Sequence, residues 1–243
     1  MRSITPSRRI VFSSSTFCMR RWTQNGTCNH IGVVMHKLFG YKGSGSAAIE
    51  CALELANVHY QIINAASWAP DSSRDELARI NPLQQVPSLV LPDGTVLSES
   101  AAILIHLGLQ YPAAGLLPVA PSHRARAIRG LVYIAANCYS AVSVSDFPER
   151  WLESPTDEAR RNLKAGSRSR LHAHWDIFAD SFAPDPYLSG AEPGALDLLA
   201  SVVSRWSGSR EHLRESRPAL AHCLAEVERH PIVKSVFSGH WET

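Results

Sequence analysis

Three short stretches of this 243-residue chain carry side chains placed to do chemistry. The first, Tyr41-Lys42-Gly43-Ser44-Gly45-Ser46, stands directly before an apolar run with helical spacing. Hydroxyls there can hold an anion, because the first-turn N–H groups of a helix lack partners and its dipole is positive at that end. The second stretch, Gln85-Val86-Pro87, leads into a pair of short apolar segments, and proline is the residue at which a cis peptide bond is readily accommodated. The third, Glu99-Ser100, opens another apolar helical run, where an anion can meet backbone N–H groups while the carboxylate faces a cation. Each residue also has an ordinary use: Ser46 and Ser100 as helix caps, Pro87 as a strand-entry proline.

Other chemistries are poorly served. Gly43 to Ala48 fits the G-x-G-x-x-A dinucleotide fingerprint, but that motif expects an acidic residue at the end of the next strand, and residues 60–67 contain none. His172 and His174, two apart on a helix, point to different faces and cannot chelate one metal together. The five cysteines (Cys18, Cys28, Cys51, Cys138, Cys223) form no CxxC pair. No metal is expected, and the odd, scattered thiols suit a reducing, cytoplasmic setting.

The elements that position the three stretches follow from periodicity. A strand is expected over 36–41, a helix over 46–57 and a second strand over 58–63. A short helix over 74–80 is stopped by Asn81 and Pro82. Strands over 87–91 and 95–97 are joined through Pro92-Asp93-Gly94, whose residues supply turn geometry, and a helix covers 100–110. Beyond a Pro-, Gly- and Ala-rich connector the signals turn helical. Ile128, Leu131, Val132, Ala135, Cys138, Tyr139 and Val142 mark one buried face, and Leu171, Trp175, Phe178 and Phe182 another. Further helices are expected near 195–206, 218–229 and 232–238. The expected organisation is an extension at 1–35, disordered or preceding the true start, then an α/β domain at 36–114 and an all-α domain at 115–243.

Composition narrows the class. With 45% hydrophobic and 19% charged residues the chain can bury a core, and no unbroken apolar run approaches a bilayer span, so no membrane association is expected. Five of the 24 basic residues lie in 1–35, which has no acidic residue, leaving 19 basic against 22 acidic in the remainder. A mildly acidic fold lacks the electrostatic footprint of a nucleic-acid binder.

The blocks KLFGYKGSGSAAIECAL (37–53), INPLQQVPSLVLPDGTVLSESAAILIHL (80–107) and PGALDLLASVVSRW (193–206) resemble the glutathione transferase superfamily, bacterial members most of all. The middle block is the most specific, since Val-Pro, a DG hairpin and a Glu-Ser helix start occur together. The resemblance implies a thioredoxin-like N-terminal domain, an all-α C-terminal domain, glutathione as co-substrate, a small hydrophobic electrophile and a homodimer. It implies a cis Pro87, with Val86 pairing its backbone to the cysteinyl residue of glutathione and Gln85 touching the cysteinyl or glycyl end. Ser100 would take the γ-glutamyl carboxylate and Glu99 the neighbouring amine.

The residue that should favour thiolate over thiol is less regular. Gly45 falls where cysteine-type bacterial members carry cysteine, and Gly43 where several serine-type members carry serine. Ser44 is the first candidate, Ser46 the second and Tyr41 the third. Tyr139, Phe147, Trp151 and Trp206 are candidates for the second-substrate pocket, each equally suited to core packing, and Trp68 is a candidate border of the glutathione pocket. Asp197 matches a buried helix-start aspartate whose usual hydroxyl partner is replaced by Gly194. Two expectations stay open: a glutathione transferase, or a non-catalytic binding module on the same fold.

Overall fold

The computed structural model describes residues 35–154 and 156–241; the expectation for the extension falls outside these residues. The first part is a four-stranded sheet in the order β2-β1-β3-β4, built from β1 (His36–Gly40), β2 (Tyr60–Asn64), β3 (Ser88–Val90) and β4 (Val96–Ser98). β1 and β2 are parallel and are joined through α1 (Ser46–Leu55), as a parallel pair requires a crossover. β3 runs antiparallel to both β1 and β4, the second pairing closed by the turn at Pro92–Gly94.

Side chains alternate across this sheet and divide the core in two. On one face Leu38 and Leu89 join α1 and α3 (Ser100–Gln110) in the main hydrophobic cluster. On the other, Phe39 packs with Ala65 and Leu77 beneath α2 (Arg74–Ile80). The expected second strand begins two residues late. α1 ends at Leu55, Asn57 takes φ 51, and the Val58 N–H returns to the Leu53 carbonyl at 3.0 Å, so the C-terminal turn consumes Val58.

The second part is helical, as the periodicity predicts. α4 (Pro121–Tyr133) passes without a break through a π-helical segment, Ile134–Tyr139, into α5 (Ser140–Asp146). Among the described residues this 26-residue rod is the one helix long and apolar enough to cross a membrane by length and composition, which a search for unbroken apolar runs misses because polar residues interrupt it. Leu131, Ile134 and Cys138 on the rod lie in the main core.

α6 (Asp157–Ser181) buries Leu171, Trp175 and Phe178, with Phe182 just beyond it, while its Arg-rich first half gives no apolar signal in sequence. α7 (Ala195–Val203) is wholly buried. α8 (Ser209–Ser216), absent from the sequence expectation, buries only one apolar residue, Leu213. α9 (Pro218–Arg229) and α10 (Pro231–His240) complete the bundle. The main cluster runs from β1, α1 and α3 into α4, α7 and α9, so the two parts share one continuous interior.

Candidate functional site

Strand register brings the three chemical stretches together. Ser88 pairs with Phe39 on one side and Ser98 on the other, while Gly40 pairs with Asn64. The residues just outside this sheet end are therefore Tyr41, Ala65, Pro87 and Glu99, drawn from four separate places in the chain.

The Val86–Pro87 peptide is cis. Its approach is fixed by a network that the sequence reading overlooked. The buried Asn81 amide donates to the Gln85 carbonyl at 3.1 Å and to Ser88 Oγ at 3.1 Å, and Ser88 Oγ donates to the Gln85 carbonyl at 3.0 Å. Asn81 Oδ1 accepts from the Leu83 N–H, and Gln84 takes φ 53. The signal was present in the Asn-Pro pair, read only as a helix stop. The Gln85 side chain is exposed, and among the described residues no hydrogen bond engages the backbone N–H or carbonyl of Val86. Val86 thus offers a donor and an acceptor to an extended peptide.

Glu99 precedes α3 with φ 67 and ψ 112, a conformation costing a non-glycine residue about 1–3 kcal/mol. Its carbonyl accepts from the Ile103 N–H, which locks the first turn, and its side chain is exposed. Ser100, 8% exposed, stands at the first position of the helix. The first-turn N–H groups and the serine hydroxyl can take an anion, with the Glu99 carboxylate left for a cation.

The first loop is arranged differently. Ser44 and Ser46 are both buried, and their hydroxyls lie 2.9 Å apart. Ser46 Oγ donates to the Tyr41 carbonyl at 3.3 Å and accepts from the Tyr41 N–H at 3.3 Å, while Ser44 Oγ accepts from the Ser46 N–H at 3.3 Å. Both hydroxyls therefore brace the loop. A Cβ on Gly40 would fall 2.5 Å from Ser46 Cβ, which puts Ser46 against the end of β1. Tyr41 meets Trp68 edge to face, with centroids 5.8 Å apart, and the two border a cleft of about 210 Å³ with Asn64, Pro70 and Asp71.

The last helix holds this loop from behind. His240 Nδ1 lies 3.2 Å from the Gly43 nitrogen and accepts its proton, so Nε2 carries the ring proton and donates to the buried Glu50 carboxylate at 2.9 Å. Arg205 lies over the Phe237 and Trp241 rings at 4.9 and 4.5 Å, fastening the same end of α10.

Of the four expected pocket residues, the structure brings two together. Tyr139 meets Trp206 edge to face at 5.5 Å. Phe147 caps α5 and stacks beneath Arg150, and Trp151 is exposed; neither makes a ring contact with the first pair among the described residues. Tyr139 also reaches the sheet domain. A Cβ on Gly45 would collide with Tyr139 Oη and lie 3.2 Å from Tyr139 Cζ and 3.5 Å from Pro87 Cδ. Burial pushes the Tyr139 phenol well above its ordinary value; the Ser100 hydroxyl opposes the shift and the Glu99 carboxylate adds to it.

Cys51, Cys138 and Cys223 are free and buried, and burial raises all three thiols, Cys138 and Cys223 to about 12. They remain protonated and unreactive at neutral pH. Asp197 is fully buried, with Oδ1 accepting from the Leu188 N–H at 2.7 Å and Oδ2 from the Ser189 and Gly194 N–H groups at 3.0 Å. Burial raises its pKa, and these hydrogen bonds pull it back.

Known proteins match this architecture. The family model described as the glutathione S-transferase N-terminal domain matches residues 46–110. The uncharacterized GST-like protein YncG of Escherichia coli K12 is 28% identical over 204 residues, covering 83% of this chain and 97% of that protein. The glutathione S-transferase GstA of Escherichia coli O157:H7 is 28% identical over 208 residues, covering 84% and 98%. Among solved structures, a glutathione transferase homolog from sulfitobacter with bound glutathione superposes with a TM-score of 0.76 at 23% identity, over 86% of this chain and all of that one. Ure2p in complex with S-p-nitrobenzylglutathione does so with a TM-score of 0.70 at 15% identity, over 84% and 94%. The chain thus carries a match to the glutathione S-transferase N-terminal domain over residues 46–110, is similar over most of its length to these two bacterial proteins, and shares with the solved structures the fold of a thioredoxin-like sheet followed by a helical part.

Proposed function

We propose that the chain is a glutathione transferase that holds glutathione at the open sheet end and presents its thiolate to a small hydrophobic electrophile. The observation that carries this reading is the convergence of three polar features at one place. Val86 has backbone groups without partners among the described residues, Ser100 stands at the start of α3, and Glu99 is held at φ 67 beside it. Glutathione matches them group for group. Its cysteinyl backbone would pair with Val86, its γ-glutamyl carboxylate would sit on Ser100 and the first turn of α3, and its amine would face Glu99. Gln85, exposed at the rim, would touch the cysteinyl or glycyl end. The bound glutathione in the sulfitobacter homolog and the transferase name of GstA support the same reading.

In the reaction the thiolate sulfur donates an electron pair to an electrophilic carbon, a C–S bond forms, and the leaving group departs with its bonding pair. The protein's part is to populate the thiolate and fix its distance from the carbon. The electrophile would lie against Tyr139 and Trp206, with Phe147 and Trp151 further along the helical domain. Residues 36–114 and 115–243 serve as the glutathione and substrate domains of a cytoplasmic homodimer.

Calorimetric titration with millimolar glutathione tests the reading: binding is expected, lost on combining Glu99→Ala with Ser100→Ala. Absence of binding by the unaltered protein would refute it. A second reading, a glutathione-binding module without turnover, is favoured by one observation: the Ser44 and Ser46 hydroxyls are engaged within their own loop. Glutathione binding without turnover of any activated electrophile would select it.

A further inference from the structure

We infer that Tyr139, carried by the helical domain, supplies the hydroxyl that meets the glutathione sulfur, in the space a side chain at position 45 would otherwise fill. The inference rests on the glutathione-binding reading above. A cysteinyl residue paired to Val86 lies beside Pro87, and the wall it faces is formed by Gly45 at the start of α1 and by Tyr139 Oη. Gly45 has φ −61 and ψ −12, which any residue can adopt, so backbone freedom does not call for glycine here. Room does: a Cβ would occupy the place of the phenol oxygen.

Three further observations agree. Ser44 and Ser46, the hydroxyls nearest in sequence, are turned into the loop's own hydrogen bonds. Tyr139 ends a π-helical segment, and such departures from α-helix recur at functional sites because they re-aim a side chain. Its ring is steadied by the edge contact with Trp206.

The chemistry is hydrogen bonding without proton transfer to the enzyme. The glutathione thiol gives its proton to water, and the phenol keeps its own and donates it to the resulting thiolate. Burial suits that role, since a phenol held protonated remains a donor through the whole neutral range. The N-terminal end of α1 adds positive potential to the same spot. Glu99 is the charged group beside the phenol, and its carboxylate is matched by the glutathione amine once the ligand is bound.

The test is the ionisation of bound glutathione, followed by ultraviolet difference absorbance across pH, with calorimetry alongside. Tyr139→Phe is expected to keep the glutathione Kd within about threefold, raise the bound thiol pKa by about one unit or more, and lower kcat about tenfold with little change in KM. Gly45→Ala, which displaces the phenol oxygen, is expected to raise the thiol pKa in the same direction should Tyr139→Phe fold poorly. Gly45→Ser in the Tyr139→Phe background is expected to lower it again. The inference is overturned if the bound thiol titrates like free glutathione in the unaltered protein, if Tyr139→Phe leaves the titration unmoved, or if Ser44→Ala alone moves it. Failure of the unaltered protein to bind glutathione overturns the underlying reading as well, so the two failures are distinguishable.

Discussion

Two helix starts in this molecule invite comparison, because each has glycine at its cap and a hydroxyl from elsewhere in the room a side chain would take. At α1, Gly45 leaves space for Tyr139 Oη; at α7, Gly194 leaves space for the Ser189 side chain, whose Oγ would lie 2.8 Å from an added Cβ. Neither glycine has a positive φ. The surroundings differ in kind. Gly194 is walled by backbone as well, with the Leu116 carbonyl 2.8 Å from the same Cβ, and the buried Asp197 gathers three N–H groups beneath it. Gly45 faces the far end of one side chain from the other domain and opens toward Pro87. The α7 start is therefore a rigid fixture of the fold, whereas the α1 start is closed by a group that can move.

The comparison breaks most visibly at Asp197. Asp197→Ala leaves three N–H groups without their acceptor, and with about 1–3 kcal/mol for each group so stranded, a loss of at least about 3 kcal/mol is expected in chemical denaturation. A loss under about 1 kcal/mol would mean that the α7 start is not the fixture described.

Alkaline titration probes a thiol from each region. Cys138 precedes Tyr139, and Cys223 Sγ lies 4.0 Å from Asp197 Oδ1. Both titrate near 12 in the fold against an ordinary 9.0, so the folded state holds their protons more tightly. Their contribution is complete below pH 9 and is lost progressively as pH rises toward 12. Denaturation midpoints measured from pH 8 to 11 should fall, and less steeply in Cys138→Ser and Cys223→Ser.

Adding one methyl group separates the regions directly. Gly194→Ala drives a Cβ into backbone and is expected to cost about 1–3 kcal/mol. Gly45→Ala meets the tip of a tyrosine that can swing aside, so a cost below about 1 kcal/mol is expected, read as a smaller shift in thermal midpoint. Equal costs would erase the distinction.

A further contrast lies behind the site. His240→Ala removes the acceptor of the Gly43 N–H and the donor to Glu50, loosening the 41–46 loop from α10. A loss of about 1–2 kcal/mol is expected, together with faster amide hydrogen exchange at Gly43 and Ser44. Unchanged exchange there would show that the serine network alone holds the loop.

The thioredoxin-like half was legible because its elements are short, strongly patterned and punctuated. α2 and α3 have the bounds that Pro82 and the apolar run predict, and the DG turn fixed the hairpin. α8 and the first half of α6 were not legible, since a surface helix with one buried apolar residue has no periodic signal. In the candidate site, Val86, Pro87, Glu99 and Ser100 could be picked out because Val-Pro, the DG hairpin and the Glu-Ser helix start occur together as they do in glutathione transferases; a strand-entry proline or a helix-start serine alone has an ordinary structural use.

Side-chain direction was beyond the sequence. By sequence Ser44 and Ser46 qualify as thiol activators, Ser46 equally as a helix cap, yet their hydroxyls brace their own loop; Tyr139 qualifies as a pocket wall or a core residue, yet its oxygen stands beside Gly45. The sequence determined which segments fold into which elements, because propensity and periodicity are local properties of the chain. Only the tertiary structure decided which hydroxyl stands beside Gly45, because that depends on how a helix far along the chain is rotated and packed against α1.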